Sequence, residues 1–437
     1  MVMLRLMIVK IIRWLLVKLG RGGSLPGNIG LKMDSQLLSR FKMPKHVILV
    51  TGTNGKTTTS NLIVESLLAS GMKVIGNRRG DNLREGIATL LCANSDLHYR
   101  VKADAVVLEV DELTIPRVFD QLPVSAFVVN NFFRDQLDRA GEMETIVRKI
   151  ESVLPDYHGK LILNGNDPNV VRLADCAKQA EVLYFEVKQC AVSLSDSHEA
   201  SEGKFCPRCG GELHYDYYQY SHIGQFSCPR DGFGRHETAV CVESIDFNTQ
   251  TMVVNAQTLP MFQNAIYAVY NCAAVLTLLK AMDISWEYAA RVFAEFELND
   301  GRNETFMINH EKCVLNLIKN PTGANEVMKM IAHDEQKRSV LIVLNDNDQD
   351  GRDVSWIWDA HFDLLIDPLT ECIVCSGTRA YDMALRLKYE GYNVGLQVEE
   401  NLSQAIDKLC ECPGTHMVIS TYTALQQCRS ILRRKVS

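Results

Sequence analysis

At 437 residues the chain is too long for one hydrophobic core and calls for about two to four domains. With 46% hydrophobic and 23% charged residues it has the composition of an ordinary soluble protein, and a formal charge of −7 gives no overall electrostatic footprint for nucleic acid. Its 14 cysteines follow no regular framework and no secretory signal precedes them, which predicts reduced thiols in a cytoplasmic protein.

The chain begins with MVMLRLMIVKIIRWLLVKLGRGG, apolar but broken by Arg5, Lys10, Arg13, Lys18 and Arg21. No uninterrupted run approaches the roughly 20 residues that span a bilayer. Residues 1–44 therefore read as a basic, apolar helix and lead-in, docked either on its own protein or on a membrane surface. From Lys45 the pattern becomes strand HVILV (46–50), glycine turn TGTNGKT (51–57) and helix TTSNLIVESLLASG (58–71). Further buried strands are expected at KVIG (73–76), AVVLEV (105–110), SAFVVNN (125–131) and KLILNG (160–165), with helical stretches between them. Alternation of this kind predicts an α/β fold with a parallel sheet covered on both faces.

Residues 201–238 interrupt the pattern with Cys, Gly and aromatic residues, and ETAVCVESIDF and TMVVNAQTL then read as paired strands. After the helical stretch AIYAVYNCAAVLTLLKAM, Asp300-Gly301 marks a hinge. A second α/β series follows, with CVLNLI (313–318), SVLIVLND (339–346), ECIVCSG (371–377), NVGLQV (393–398) and HMVIST (416–421). The expected domains are thus 45–300, with 201–238 inserted, and 301–437.

Backbone N–H groups of a glycine turn that opens onto a helix cradle phosphates, and a lysine there reaches the terminal ones. Gly52-Thr53-Asn54-Gly55-Lys56-Thr57, followed by Thr58, supplies that chemistry directly after a buried strand. It is not a strict Walker A loop, because Val50 stands where the first glycine belongs. The GTNGKT variant distinguishes the Mur ligases and folylpolyglutamate synthases, and the chain resembles that family. The resemblance implies a Mur-ligase-type central ATPase domain and a Rossmann-like C-terminal domain. It further implies that Thr57 and Glu109 hold Mg²⁺, that Asn131, Asp135 and Asp138 match the loop after the next strand, and that Asn271 and Arg302 reach ATP. NLIKNPTG (316–323) resembles a segment of the family's C-terminal domain.

Within the family, LPGNIG (25–30), IPRVFDQLP, NNFFRDQLDR, a cysteine-rich insert and LNDNDQDGRDVSWIWD together resemble the MurT family, the ligase subunits of lipid II isoglutaminyl synthase. That implies ATP-dependent amidation of the α-carboxylate of D-glutamate in the lipid II stem peptide, through an acyl phosphate, at the inner face of the membrane. It also implies a GatD-type glutaminase partner in a heterodimer, since this chain has no G-x-C-x-G elbow of its own. Only about 45 residues precede the loop strand, where Mur ligases usually place a longer domain that grips a UDP-sugar, so a soluble UDP-linked substrate is not expected. Ala268 stands where relatives often carry asparagine, which keeps a catalytically inactive, nucleotide-binding scaffold as the alternative.

Cys206-Pro-Arg-Cys209-Gly and Cys228-Pro-Arg-Asp231-Gly have the spacing of two zinc knuckles, with aspartate where relatives carry the fourth cysteine. A structural zinc ion is expected on Cys206, Cys209 and Cys228, completed by Asp231 or by His214, His222 or His236, with a degenerate metal-free ribbon as the alternative. The acidic stretch Asp346–Gly351 begins like a calcium loop, but its twelfth position is Ile357, which removes the bidentate carboxylate. By resemblance, Asp353 instead completes a Cys-His-Asp triad across the subunit interface.

Overall fold

A computed structural model describes residues 2–18, 23–77, 81–133, 143–196, 202–296, 304–392 and 395–436. The described residues form two compact units, one from 2–133 with 143–296 and one from 304–436. Asp135, Asp138, the Asp300-Gly301 pair and Arg302 lie outside them.

Unit one is built on β1 (His46–Thr51), β2 (Val74–Gly76), β3 (Ala105–Glu109), β4 (Ala126–Val129), β5 (Lys160–Asn164), β6 (Glu181–Val187), β9 (Thr238–Asp246), β10 (Thr251–Val254) and β11 (Gln257–Pro260). Their order in the sheet is β11-β10-β9-β6-β5-β4-β1-β3-β2. All neighbours from β2 to β9 run parallel, and β9, β10 and β11 form an antiparallel edge. Strands β1, β3 and β4 are almost wholly buried, as a sheet covered on both faces requires of its apolar runs. From β1 the chain builds outward through β2 and β3, then crosses to β4 on the other side, so the strand order reverses at β1. Open α/β sheets bind ligands at the carboxyl ends of the strands at such a reversal.

Helices α1 (Val2–Lys18) and α2 (Leu25–Met33) precede the sheet, and α1 packs through the fully buried Leu6 and Val9. Helix α3 (Lys56–Ala69) follows the glycine turn, and α4 (Arg84–Ala93), α5 (Ile115–Phe119), α6 (Met143–Glu151) and α7 (Pro168–Val171) connect later strands. Helix α8 (Ile266–Ala281) is apolar nearly all round and buried accordingly, sharing a core with α3 and α9 (Trp286–Glu295). The interrupting segment forms a separate two-stranded ribbon, β7 (His214–Tyr220) and β8 (Ile223–Ser227).

Strand β6, EVLYFEV, is not among the strands expected from the sequence. Its glutamates break the apolar run, yet Glu186 is tolerated half-buried in the sheet because His236 and Thr238 sit 2.6 Å from its carboxylate.

Unit two has β12 (Glu304–Ile308), β13 (Glu311–Leu317), β14 (Arg338–Val343), β15 (Thr370–Ser376), β16 (Leu396–Val398) and β17 (Thr415–Ser420), ordered β12-β13-β17-β14-β15-β16. Only the β12–β13 pair is antiparallel. Helices α10 (Pro321–Ala332), α11 (Ala380–Tyr389), α12 (Leu402–Glu411) and α13 (Tyr422–Lys435) pack with this sheet around two hydrophobic cores. Strand order reverses here at β14. Strand β12 was also unexpected, and its Glu304 is held by Arg429 at 2.6 Å.

Candidate functional site

The glycine turn leaves the carboxyl end of β1, at the reversal point of unit one, and delivers the chain into α3. Gly55 caps that helix at φ 81°, a left-handed conformation that disfavours a side chain. A Cβ built there would lie 2.4 Å from Asn271 Oδ1, so the approach of α8 also demands glycine. Asn271 Oδ1 accepts from Thr59 Oγ1 at 3.2 Å, and Thr59 Oγ1 accepts from Asn130 Nδ2 at 2.9 Å. The loop after β4 closes the other side. Asn131 O accepts from Thr53 N at 2.9 Å, while the Asn131 side chain accepts from Asn54 N at 2.9 Å and donates to Asn54 O at 3.2 Å.

Lys56 is buried in the turn. Its Nζ donates to Gly52 O at 2.5 Å and forms an ion pair with Glu112 Oε1 at 2.8 Å. Thr57 is half-buried in the first turn of α3, and Thr58 is buried behind it. Glu109 stands opposite Val50 at the end of β3, with only 3% of its surface exposed. Asn82 donates to its Oε1 at 2.9 Å, and its backbone is clamped by Asn77 through bonds of 2.8 and 2.7 Å. The other carboxylate oxygen, Oε2, is buried without a hydrogen-bond partner among the described residues. An orphaned buried acceptor at the strand ends is what a hard cation needs from a protein, so Glu109 fits a Mg²⁺ ligand.

The structure therefore brings together Gly52, Thr53, Asn54, Gly55, Lys56, Thr57, Thr58, Asn131 and Asn271 around one turn, with Glu109 on the adjacent strand. Ala268 is fully buried on α8, and Asn271, one turn further on, is the side chain that meets the loop. Glu112, Asn77, Asn82 and Asn130 were not singled out in the sequence. Glu112 was the most accessible of them, three residues after Glu109.

In the ribbon segment, ligand atoms of Cys206, Cys209, Cys228 and Asp231 all lie within 4.8 Å of one another. Cys209 and Cys228 sulfurs are 3.5 Å apart, and Cys206 Sγ is 3.5 Å from Asp231 Oδ2. Tetrahedral zinc with ordinary Zn–S and Zn–O bonds has edges of about 3.3–3.8 Å, so the donor set has suitable size. The two knuckles repeat one backbone motif: Gly210 N donates to Cys206 O and Gly232 N to Cys228 O, with φ values of 68° and 73° at the glycines. Burial raises the Cys206 thiol to about 12, whereas the Phe233 N–H, then Cys228, lowers Asp231 to about 2. The histidines are engaged elsewhere: His222 with Asp167 at 3.3 Å, His236 with Glu186 at 2.6 Å, and His214 with Asp216 at 3.3 Å.

The acidic loop leaves β14, the reversal strand of unit two, and borders an open depression of about 480 Å³. Asp353 is exposed and accepts from Ser355 N at 2.8 Å. Asp350 instead is buried, its carboxylate accepting from Thr423 N at 2.7 Å and from Thr423 Oγ1. In NLIKNPTG, Asn320 caps α10 by accepting from Gly323 N at 2.8 Å.

The Mur ligase middle domain family matches residues 50–226, and the MurT ligase C-terminal family matches residues 317–425. A lipid II isoglutaminyl synthase (glutamine-hydrolyzing) subunit MurT of Staphylococcus aureus strain COL is 34% identical over 93% of this chain and 91% of its own. The subunit of that name from Streptococcus pneumoniae strain ATCC BAA-255 / R6 is 32% identical over 96% of this chain and 94% of its own. Among solved structures, a pseudomurein peptide ligase type C from Methanothermus fervidus superposes with a TM-score of 0.70 at 18% identity, covering 91% of this chain and 80% of that one.

Proposed function

Because this chain belongs to the MurT family, the ligase subunits of lipid II isoglutaminyl synthase, we propose that it activates a carboxylate on a lipid-linked cell-wall precursor with ATP and passes it to ammonia. It is a ligase of the Mur type, and the family uses ATP and Mg²⁺. The observation that carries the reading is the phosphate loop at the carboxyl end of β1, where Lys56 is buried against Gly52 O and Glu112, with Glu109 opposite Val50 on the adjacent strand carrying a buried oxygen that has no hydrogen-bond partner among the described residues.

In this reading the γ-phosphoryl group of ATP moves to the α-carboxylate of D-glutamate in the lipid II stem peptide. Ammonia then attacks the acyl carbon, phosphate leaves, and D-isoglutamine remains. The loop amides hold the phosphates, Lys56 neutralises charge that builds on the transferring group, and Arg302 is assigned to the ATP site by the family resemblance alone. Thr57 and Glu109 would hold Mg²⁺, which would supply a further positive charge for the phosphoryl transfer. Lys56 and Glu112 hold each other in position until phosphates compete for the lysine.

Ammonia is supplied by a GatD-type glutaminase partner, whose catalytic histidine Asp353 orients. The exposure of Asp353 on a loop pinned by Asp350 supports this. A zinc ion held by Cys206, Cys209, Cys228 and Asp231 would be structural, since four protein ligands leave no position open for substrate. Residues 45–300 form the ATPase domain and 301–437 the domain that meets the partner. The test is to purify the chain with its glutaminase partner, incubate lipid II with ATP and glutamine, and weigh the product. Conversion of one carboxylate to an amide is expected; lipid II unchanged by an intact complex overturns the reading.

A further inference from the structure

Helix α1 has two unlike faces. Leu6 and Val9 are buried against the protein, and the helix is clamped on that side by Lys10 donating to Ser95 O at 2.6 Å and Arg5 pairing with Asp34 at 3.4 Å. On the opposite side Leu4, Met7, Ile8, Ile11, Trp14 and Leu15 are 36–59% exposed. Their spacing places them on one continuous stripe. The stripe is therefore not a core face left open by a loose helix, because the helix already has its core contact.

Charge selects what can cover it. Residues 1–33 contain Arg5, Lys10, Arg13, Lys18, Arg21 and Lys32 and no Asp or Glu, in a chain whose overall charge is −7. A second copy would set two basic segments against each other, which like-charge repulsion opposes. An anionic lipid surface meets both features at once, taking the apolar stripe into the acyl boundary and the cations among headgroups. Lys18 lies 3.9 Å over the Trp14 ring at the end of the helix, pairing an interfacial aromatic with a long cationic side chain. The helix is 17 residues long, about 25 Å, and no helix among the described residues is long and apolar enough to cross a membrane.

We propose that the exposed face of α1 lies in the headgroup layer of an anionic membrane and holds the chain flat against it. This deepens the reading of a lipid-linked substrate and rests on it only for its purpose. The test is sedimentation of the full chain with vesicles of phosphatidylglycerol and phosphatidylcholine, or of phosphatidylcholine alone. Wild type should bind the anionic vesicles and lose them as salt rises. Ile11→Glu/Leu15→Glu should weaken that binding at least about tenfold, and Lys18→Ala by about fivefold. Both apolar positions are exposed, so the melting temperature should not move. Unchanged binding by the double variant overturns the proposal, as does a wild type that binds no vesicles, or a dimer that the double variant dissolves. A further arm compares lipid II in detergent with lipid II in vesicles. The double variant should amidate the first normally and the second poorly. If the wild-type complex amidates neither, the functional reading fails, and vesicle binding still decides the role of α1.

Discussion

Two loops leave the carboxyl end of a reversal strand, one after β1 and one after β14, and they are built in opposite ways. The first is closed in from several directions: Asn271 from α8, Asn130 and Asn131 from the loop after β4, and Glu112 on the buried ammonium of Lys56. The second is held along its base, by Asp350 and Asn347 on Thr423 and by Asp346 on Thr378 and Arg379, and leaves Asp348 and Asp353 at the surface. Equivalent places in two α/β sheets thus carry different chemistry. A site that must work on a phosphate needs donors fixed before the ligand arrives. A carboxylate that serves another polypeptide must instead be presented outward.

The sharpest way to break this contrast is at Lys56. Lys56→Ala should abolish amidation with either glutamine or ammonium, because transition-state charge on the phosphoryl group loses its lysine; a fall of at least about a thousandfold is expected. The substitution also strands Glu112, and breaking a buried pair costs about 3–5 kcal/mol. Lys56→Ala/Glu112→Gln removes that complication. It should regain stability but no activity, measured by thermal melting beside product mass. Recovered amidation in the double variant would take the lysine out of the chemistry.

The next largest effect separates the loops by half-reaction. Asp353→Asn should leave ATP binding intact while glutamine-driven amidation falls by about 10⁴-fold, since the partner histidine loses the carboxylate that sets its tautomer. Ammonium supplied directly should largely restore product. Failure of ammonium to rescue an intact complex would move Asp353 into the ligase site. Unaffected glutamine-driven amidation would make the second loop a solvated turn.

These two sites were legible in the sequence to different depths. The phosphate loop is contiguous, so strand, glycines, lysine and helix could be read in one pass. Its supports could not, because Asn130 and Glu112 come from other segments and meet the loop, and Asn77 meets Glu109, only once the sheet is assembled. Asn271 was legible only through family resemblance, for the same reason. The knuckles repeat a spacing, which exposed Cys206, Cys209 and Cys228, but the choice among Asp231 and three histidines needed the positions of Asp167, Asp216 and Glu186. Strands β6 and β12 were hidden because charged residues interrupt them, and those charges are satisfied by partners distant in sequence.

The ribbon sharpens the contrast from a third direction, as a site whose parts converge but whose charges call for a cation. Purified protein should carry about one zinc per chain, and Cys206→Ser should lower both metal content and thermal stability. Amidation should fall less than stability does, because a structural ion touches no reacting atom. Metal-free protein that melts at the same temperature would mark the ribbon as metal-independent.

The smallest effect tests whether the acidic loop is divided between support and presentation. Asp350 is buried, and its carboxylate accepts two bonds from Thr423 in the first turn of α13, where negative charge also meets the positive end of the helix. Asp350→Ala should therefore cost about 1–3 kcal/mol, seen as a lower melting temperature for the chain. Asp348 is 82% exposed and pairs only at the surface with Arg352 at 2.8 Å, so Asp348→Asn should change stability by less than about 0.5 kcal/mol. Equal losses from both would mean the loop is a single structural unit. With Asp350 removed, the turn carrying Asp353 loses its nearest buried anchor. Glutamine-driven amidation should then fall while ammonium-driven amidation holds, because on the proposed reading positioning of Asp353 for a partner is the one step that depends on this loop.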